Sequence, residues 1–364
     1  MSIILFIVIL GTLVLVHELG HFIAAKRSGI RVDEFGIGFP PRLFSKTIGE
    51  TKYSLNLFPL GGFVKIFGEN PGLESADSKD SARSMVNKPR YIQAWVIVAG
   101  IVFNFLFAWV ILSFGFMAGM PYSVDDSAYA SRVKNPELTI TQVLPKSPAE
   151  IAGLKPGDKI TELAAGKLSK NNPSVKEAQD IIADHEQVSV VYARGSEVKK
   201  TTIRGVTGIV GSRRAIGVSL DVTGVLQLPP LQAVYMGITT TVSLTAETAL
   251  GMFNLIKNIF IGQANFSQIS GPVGIVGVVR DANALGFAHL VSLAALISIN
   301  LAVINFLPLP ALDGGRLFFL IIEAIKRSPI KAEVANIANG IGFALLILLM
   351  AVVTYHDIVR LIHG

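Results

Sequence analysis

Val16-His17-Glu18-Leu19-Gly20-His21 interrupts an otherwise unbroken apolar run over residues 2–25. On a helix, residues four apart share one face, so His17 and His21 point the same way. Two imidazoles on one face can reach one metal ion, with Glu18 beside them to take a proton from water held there. The alternative is a pair of histidines satisfied by incidental hydrogen bonds. That alternative must absorb the cost of polar groups in an apolar span, about 2.5–3.5 kcal/mol for each charged one near the bilayer centre. At 1.5 Å per residue the run is roughly 36 Å long, enough to cross a hydrocarbon core of about 30 Å. It has no basic residues ahead of it and carries the His-Glu pair, so it reads as a retained helix rather than a cleaved leader.

The composition agrees with a membrane setting. Of 364 residues, 51% are apolar and only 16% charged, with a mean hydropathy of +0.55. There is no cysteine, which excludes disulfides and thiolate ligands; any zinc must be held by His, Asp or Glu. The net charge of +6 is dispersed and gives no sign of nucleic-acid binding.

Further spans are expected over residues 92–119, 287–307 and 337–355. Lys26 and Arg27 follow the first span, and eleven Lys and Arg fall between residues 26 and 90. The positive-inside rule therefore puts the N-terminus outside and the segment after residue 25 in the cytoplasm. Residues 31–67 alternate around glycine turns and read as a β-ribbon near the membrane. Residues 69–90 read as a cytoplasmic loop. Asn104 is the most polar residue inside the second span and reads as a helix–helix hydrogen bond.

Residues 121–225 change to a soluble α+β pattern. A strand is expected over 138–144, a helix from Ser147 ended by Gly153, a strand entered through residues 155–160, a helix over 174–184 and a hairpin over 188–193 and 198–204. The run Ser147-Pro148-Ala149-x-x-Ala152-Gly153-Leu154-x-x-Gly157-Asp158-x-Ile160 resembles a bacterial PDZ domain. That resemblance implies capture of extended peptides by strand addition. Lys134 to Leu138 is the candidate for its carboxylate-binding loop. Residues 226–284 read as an interfacial, amphipathic region: 231–262 are long but carry Glu247 and Lys257, and 267–284 are looser.

The span over 287–307 ends in Asn305-Phe306-Leu307-Pro308-Leu309-Pro310-Ala311-Leu312-Asp313-Gly314. Prolines there free backbone groups at membrane depth, which is tolerated around a buried site. Asp313 is the natural third ligand beside His17 and His21; the competing reading is a helix cap over Gly314. His185, His289, His356 and His363 have no partner at metal spacing and read as ordinary residues.

Together, His17-Glu18-Leu19-Gly20-His21 and the distant Asn305-x-x-Pro308-x-Pro310-x-Leu312-Asp313-Gly314 resemble the site-2 protease family. The branch most similar is the regulator-of-sigma-E type, with a PDZ domain between its second and third spans. Gly61-Gly62-Phe63-Val64-Lys65 resembles that family's β-ribbon, and Ala99-Gly100-x-x-x-Asn104 and Ser270-Gly271-Pro272 also fit. There is room for one PDZ domain rather than a tandem pair, and Ile101 stands where many relatives have proline. The resemblance implies a polytopic α-helical membrane protein of four transmembrane helices with a membrane-associated β-ribbon and an inserted PDZ domain. It implies a zinc metalloendopeptidase of a bacterial inner membrane, with N-terminus and PDZ domain outside the cytoplasm. Its substrates would be single-span membrane proteins such as anti-sigma factors. His17, His21 and Asp313 would hold zinc, with Glu18 as the base. Gly62, Phe63 and Val64 would hold the substrate extended, and Asn305 would bind it. A non-catalytic membrane scaffold recruiting partners through the PDZ domain is the alternative from another class.

Overall fold

The computed structural model describes residues 2–69, 80–124, 129–195, 197–262, 271–328 and 330–363. In chain order the elements are α1 (Ser2–Arg27), β1 (Val32–Ile48), β2 (Thr51–Ile66), α2 (Arg90–Ala118), β3 (Met120–Ser123), β4 (Val133–Val143), α3 (Pro148–Ile151), β5 (Lys159–Ala165), β6 (Leu168–Asn171) and α4 (Val175–Asp184). There follow β7 (Gln187–Arg194), β8 (Glu197–Arg204), β9 (Val206–Val210), β10 (Arg213–Ala215), β11 (Val218–Leu226), α5 (Pro230–Phe260), α6 (Pro272–Leu285), α7 (Phe287–Phe306), α8 (Asp313–Lys326) and α9 (Ala332–His363). The chain divides into two compact units. One comprises residues 1–112, 237–280 and 293–364; the other comprises 113–236 and 281–292.

Among the described residues, four helices are long and apolar enough to cross a membrane: α1, α2, α7 and the part of α9 up to Val359. The chain is a multi-pass membrane protein. In the first unit, α1 buries a single stripe: Leu13, His17, Gly20, His21, Ala24 and Ala25. These positions recur at helical spacing, and most are small or polar, as at helix contacts in lipid where close backbone approach replaces the hydrophobic drive. A Cβ on Gly20 would come within 2.4 Å of the Ala99 carbonyl, so α1 and α2 touch backbone to backbone there. Ala24, Ala25, Ile30, Val32, Ile66, Val96, Ile97 and Ala99 close the core beside this contact.

The β1–β2 hairpin folds back on itself. Residues 34–37 of β1 are flanked on one side by residues 52–55 and on the other by residues 62–65. Residues 44–48 then pair with 51–55. Its distal half exposes Phe39, Leu43, Phe44, Ile48, Leu57 and Phe58, an apolar surface suited to lipid.

α5 is not among the spanning helices. Its middle is rich in threonine and it carries Glu247 and Lys257. The stretch expected to be loose over 267–284 contains α6, which begins with proline at its first position, where a missing N–H costs nothing; residues 267–270 lie outside the described residues. The loop expected over 69–90 is described only at residue 69 and from residue 80, where two short turns precede α2.

The second unit is β-rich. A seven-stranded sheet runs β3-β11-β4-β5-β7-β8, with β6 paired to β5. Its core holds Leu138, Ile140, Leu154, Ile160, Leu163, Ile181, Val188, Val190 and Ile203. The Ser147 hydroxyl caps α3, and Gly153 follows at φ +81°, a left-handed turn that glycine permits. Ser174 and Glu177 form a capping box on α4. Lys134 to Leu138 is not a loop. These residues belong to β4, where Lys134 lies opposite Val225 and Leu138 opposite Val222. β11 escapes the sequence reading, although Val218, Leu220 and Val222 alternate as a half-buried strand requires.

Candidate metal centre

Three elements of the first unit bring the candidate ligands together. α1 supplies His17 and His21 from one turn of its buried face. Asp313 is the first residue of α8; the N-cap position expected of a helix-capping Asp313 is held by Leu312 instead. The loop ahead of it turns sharply through Ala311 at φ +73°. A Cβ on Gly314 would lie 2.2 Å from the Leu307 carbonyl, and one on Gly315 2.2 Å from the Leu309 carbonyl. Both glycines are needed for α8 to start tight against the proline loop, and that start delivers Asp313 to the histidines.

The ligand atoms converge. His17 Nε2 is 3.2 Å from His21 Nε2 and 3.0 Å from Asp313 Oδ2, and His21 Nε2 is 3.3 Å from Asp313 Oδ2. Ligands about 2.0–2.1 Å from a tetrahedral zinc stand about 3.3–3.4 Å apart, so the spacing is that of three corners of a zinc site. Although the contacts are close, Asp313 Oδ2 has no donor in hydrogen-bond geometry among the described residues. A buried anion facing two ring nitrogens without a proper donor is the environment a dication satisfies. Two nitrogens and one oxygen, with no sulfur, suit zinc. Among the described residues this is the one cluster of three such groups.

The second nitrogens of the rings are also engaged. His21 Nδ1 lies 2.8 Å from the Val96 carbonyl, which can only accept, so Nδ1 carries the proton and Nε2 keeps its lone pair. His17 Nδ1 lies 3.2 Å from Asn104 Nδ2. Both rings rest against Gly100, where a Cβ would fall 2.4 Å from His21 Nε2 and 2.8 Å from His17 Cε1.

A cleft of about 200 Å³ opens on this cluster, lined by Glu18, Phe63, Val64, Ile66 and Glu69 besides the three candidate ligands. Glu18 is half-buried. Gly62 lies alongside it: a Cβ there would be 3.0 Å from the Gly36 carbonyl and 3.5 Å from Glu18 Cγ. Residues 62–65 pair with β1 on one side only, which leaves the other edge of that strand segment unpaired in the ladder. Asn305 reaches the cluster with Nδ2 3.5 Å from His17 Nε2. All eight residues singled out from the sequence therefore lie in or beside this cleft.

Two residues at the site carried no signal in the sequence. The Arg316 guanidinium pairs with the Glu69 carboxylate and donates at 2.9 Å to the Glu69 carbonyl, tying the first turn of α8 to the end of the ribbon. Neither residue belongs to a recognisable motif, and only the fold brings them together. Of the remaining histidines, His185 bonds the Ile181 carbonyl and His356 is exposed; the side chain of His363 lies outside the described residues.

Comparison with known proteins points the same way. The profile of peptidase family M50 matches residues 5–349. A Clostridium perfringens protein bearing a zinc metalloprotease name is 34% identical over 361 residues, covering 99% of each chain. The regulator of sigma-W protease RasP of Bacillus subtilis is 31% identical over 445 residues, again covering 99% of each. The zinc metalloprotease RasP of Oceanobacillus iheyensis is 30% identical over 443 residues with the same coverage.

Proposed function

The chain belongs to peptidase family M50, the site-2 protease family of zinc metalloproteases, and on that footing we propose that it cuts the membrane anchors of single-span proteins within the bilayer. The observation that carries this reading is the meeting of His17, His21 and Asp313 beside Glu18 at a cleft lined by the apolar helix α1, the β2 strand and the start of α8.

In this reading His17, His21 and Asp313 hold the metal. Zinc, when bound, supplies Lewis acidity that activates water and polarises the scissile carbonyl. Glu18 accepts the proton of the attacking water and delivers it to the leaving amine as the C–N bond breaks. The substrate must be unwound at the cut, because helical peptide groups already pair with one another. The free edge at Gly62, Phe63 and Val64 takes the unwound stretch by strand addition, and Asn305 fixes it beside the metal. Anti-sigma factors are the substrate class suggested by the name of the Bacillus subtilis relative.

The proposed organisation is a membrane core of residues 1–120 and 285–364, a PDZ domain over 121–225 and an interfacial region over 226–284. The enzyme would lie in a bacterial inner membrane with the N-terminus and PDZ domain outside. His17 and His21 lie towards the cytoplasmic end of the first span, and Asp313 follows the end of α7. For them to meet, α1 and α7 must run in the same sense, so α5 lies at the outer interface without crossing. The PDZ domain contributes no ligand or base and acts on access, giving discrimination rather than intrinsic rate.

The test is cleavage of a short single-span model anchor by the full chain in proteoliposomes. Wild type should cut it, a permeant chelator should stop it, and Glu18→Gln should retain zinc but lose turnover. Unimpaired cleavage by Glu18→Gln would overturn the assignment of the base.

A further inference from the structure

Asn104 sits on α2 with no exposed surface. Its backbone carbonyl accepts a 2.8 Å hydrogen bond from the Ser298 hydroxyl of α7, which fixes that turn of α2 against a second helix. Its side-chain amide meets His17 Nδ1 at 3.2 Å, and its Oδ1 is buried and makes no hydrogen bond among the described residues.

The two histidines are thus treated differently. His21 has a backbone carbonyl on Nδ1, an acceptor that can enforce only one tautomer. His17 has a side-chain amide, which can offer either its NH2 or its oxygen after a half-turn about Cβ–Cγ. A neutral imidazole that binds a metal through Nε2 must carry its proton on Nδ1, and that proton needs an acceptor. The Asn104 amide lies at His17 Nδ1, and its oxygen has no competing bond to hold it elsewhere.

We propose that Asn104 is a positioning residue for the metal centre: its Oδ1 accepts the His17 Nδ1 proton, fixing the tautomer and ring plane that turn Nε2 towards His21 and Asp313. This rests on the reading of His17 as a ligand. The Ser298 bond makes the support rigid, because it holds the backbone from which the amide reaches. Asn104 touches neither substrate nor metal and acts through His17 alone.

The test is zinc affinity of the purified full chain by chelator competition, with the absorption spectrum of the cobalt-substituted protein as a second readout. Asn104→Leu keeps the volume and removes the acceptor; its affinity should fall 10–100-fold and its cobalt spectrum should change. Asn104→Asp keeps an oxygen acceptor and should bind at least as tightly as wild type. If Asn104→Leu does not fold, Asn104→Ala carries the same expectation. His17→Ala separates the two levels of the argument. If it keeps full zinc affinity, the ligand assignment fails. If it loses zinc while Asn104→Leu or Asn104→Ala binds within threefold of wild type, the proposal for Asn104 is wrong. Binding weakened tenfold or more in a folded Asn104→Asp would also overturn it.

Discussion

Replacing Gly100 by alanine adds one methyl at the most crowded point of the site. Its Cβ would stand 2.4 Å from His21 Nε2, 2.7 Å from His21 Cε1 and 2.8 Å from His17 Cε1. Ordinary contacts begin at about 3.4–3.5 Å, so His21 Nε2 must retreat by about 1 Å. The rings have little room to do so. His21 Nδ1 is held by the Val96 carbonyl and His17 by Asn104. Separating α1 from α2 to make room would cost the backbone-to-backbone packing at Gly20 and Ala99. Metal ligands are tolerant to about 0.2 Å, and a misplacement of about 1 Å in a catalytic constellation costs about a hundredfold. Gly100→Ala should therefore lose at least tenfold in zinc affinity and about a hundredfold in cleavage of a model anchor. Gly340→Ala on α9, where an added Cβ meets nothing within 4 Å, is the matched control and should behave as wild type. Full zinc and full turnover in Gly100→Ala would show that the histidines do not bind metal where the geometry puts them.

Three further outcomes are expected. Arg316→Ala removes the tie to Glu69; the pair is partly exposed, so the stability loss should be only about 1 kcal/mol by thermal unfolding, while KM for a model anchor should rise more than kcat falls. The Ser174 backbone N–H and Lys170 hold the Glu177 carboxyl down at about 2, from 4.5, so its contribution to α4 is complete above about pH 4.5 and fades as the pH falls towards 2; Glu177→Gln should flatten that part of the thermal-stability profile. Accessibility reporters at residues 225 and 280 should label from the same, outer side, and labelling from opposite sides would make α5 a full crossing.

The membrane helices were legible because twenty or more apolar residues in a row admit few other structures. His17 and His21 were legible for a related reason: a four-residue spacing on a helix fixes their relation without knowledge of the fold. Asp313 could be singled out by its proline and glycine setting. Its convergence with the histidines depends on the close approach at Gly314 and Gly315, which no pattern encodes. The β-ribbon was visible as alternation, but the return of residues 62–65 to pair with residues 34–37 was not, since pairing is a long-range property. Asn104 shows the limit most plainly. Its polarity in a span was evident and suggested a helix–helix bond; only the packing of α2 on α1 makes its partner the His17 ring.

The central claim is that His17, His21 and Asp313 hold one zinc ion. X-ray absorption at the zinc edge, combined with metal counting on the purified chain, tests it most directly. Wild type and Glu18→Gln should each bind one zinc, with two imidazole nitrogens and carboxylate oxygen at about 2.0–2.2 Å. Asp313→Ala should lose that oxygen and most of the metal. An unchanged zinc shell and full occupancy in Asp313→Ala would contradict the account.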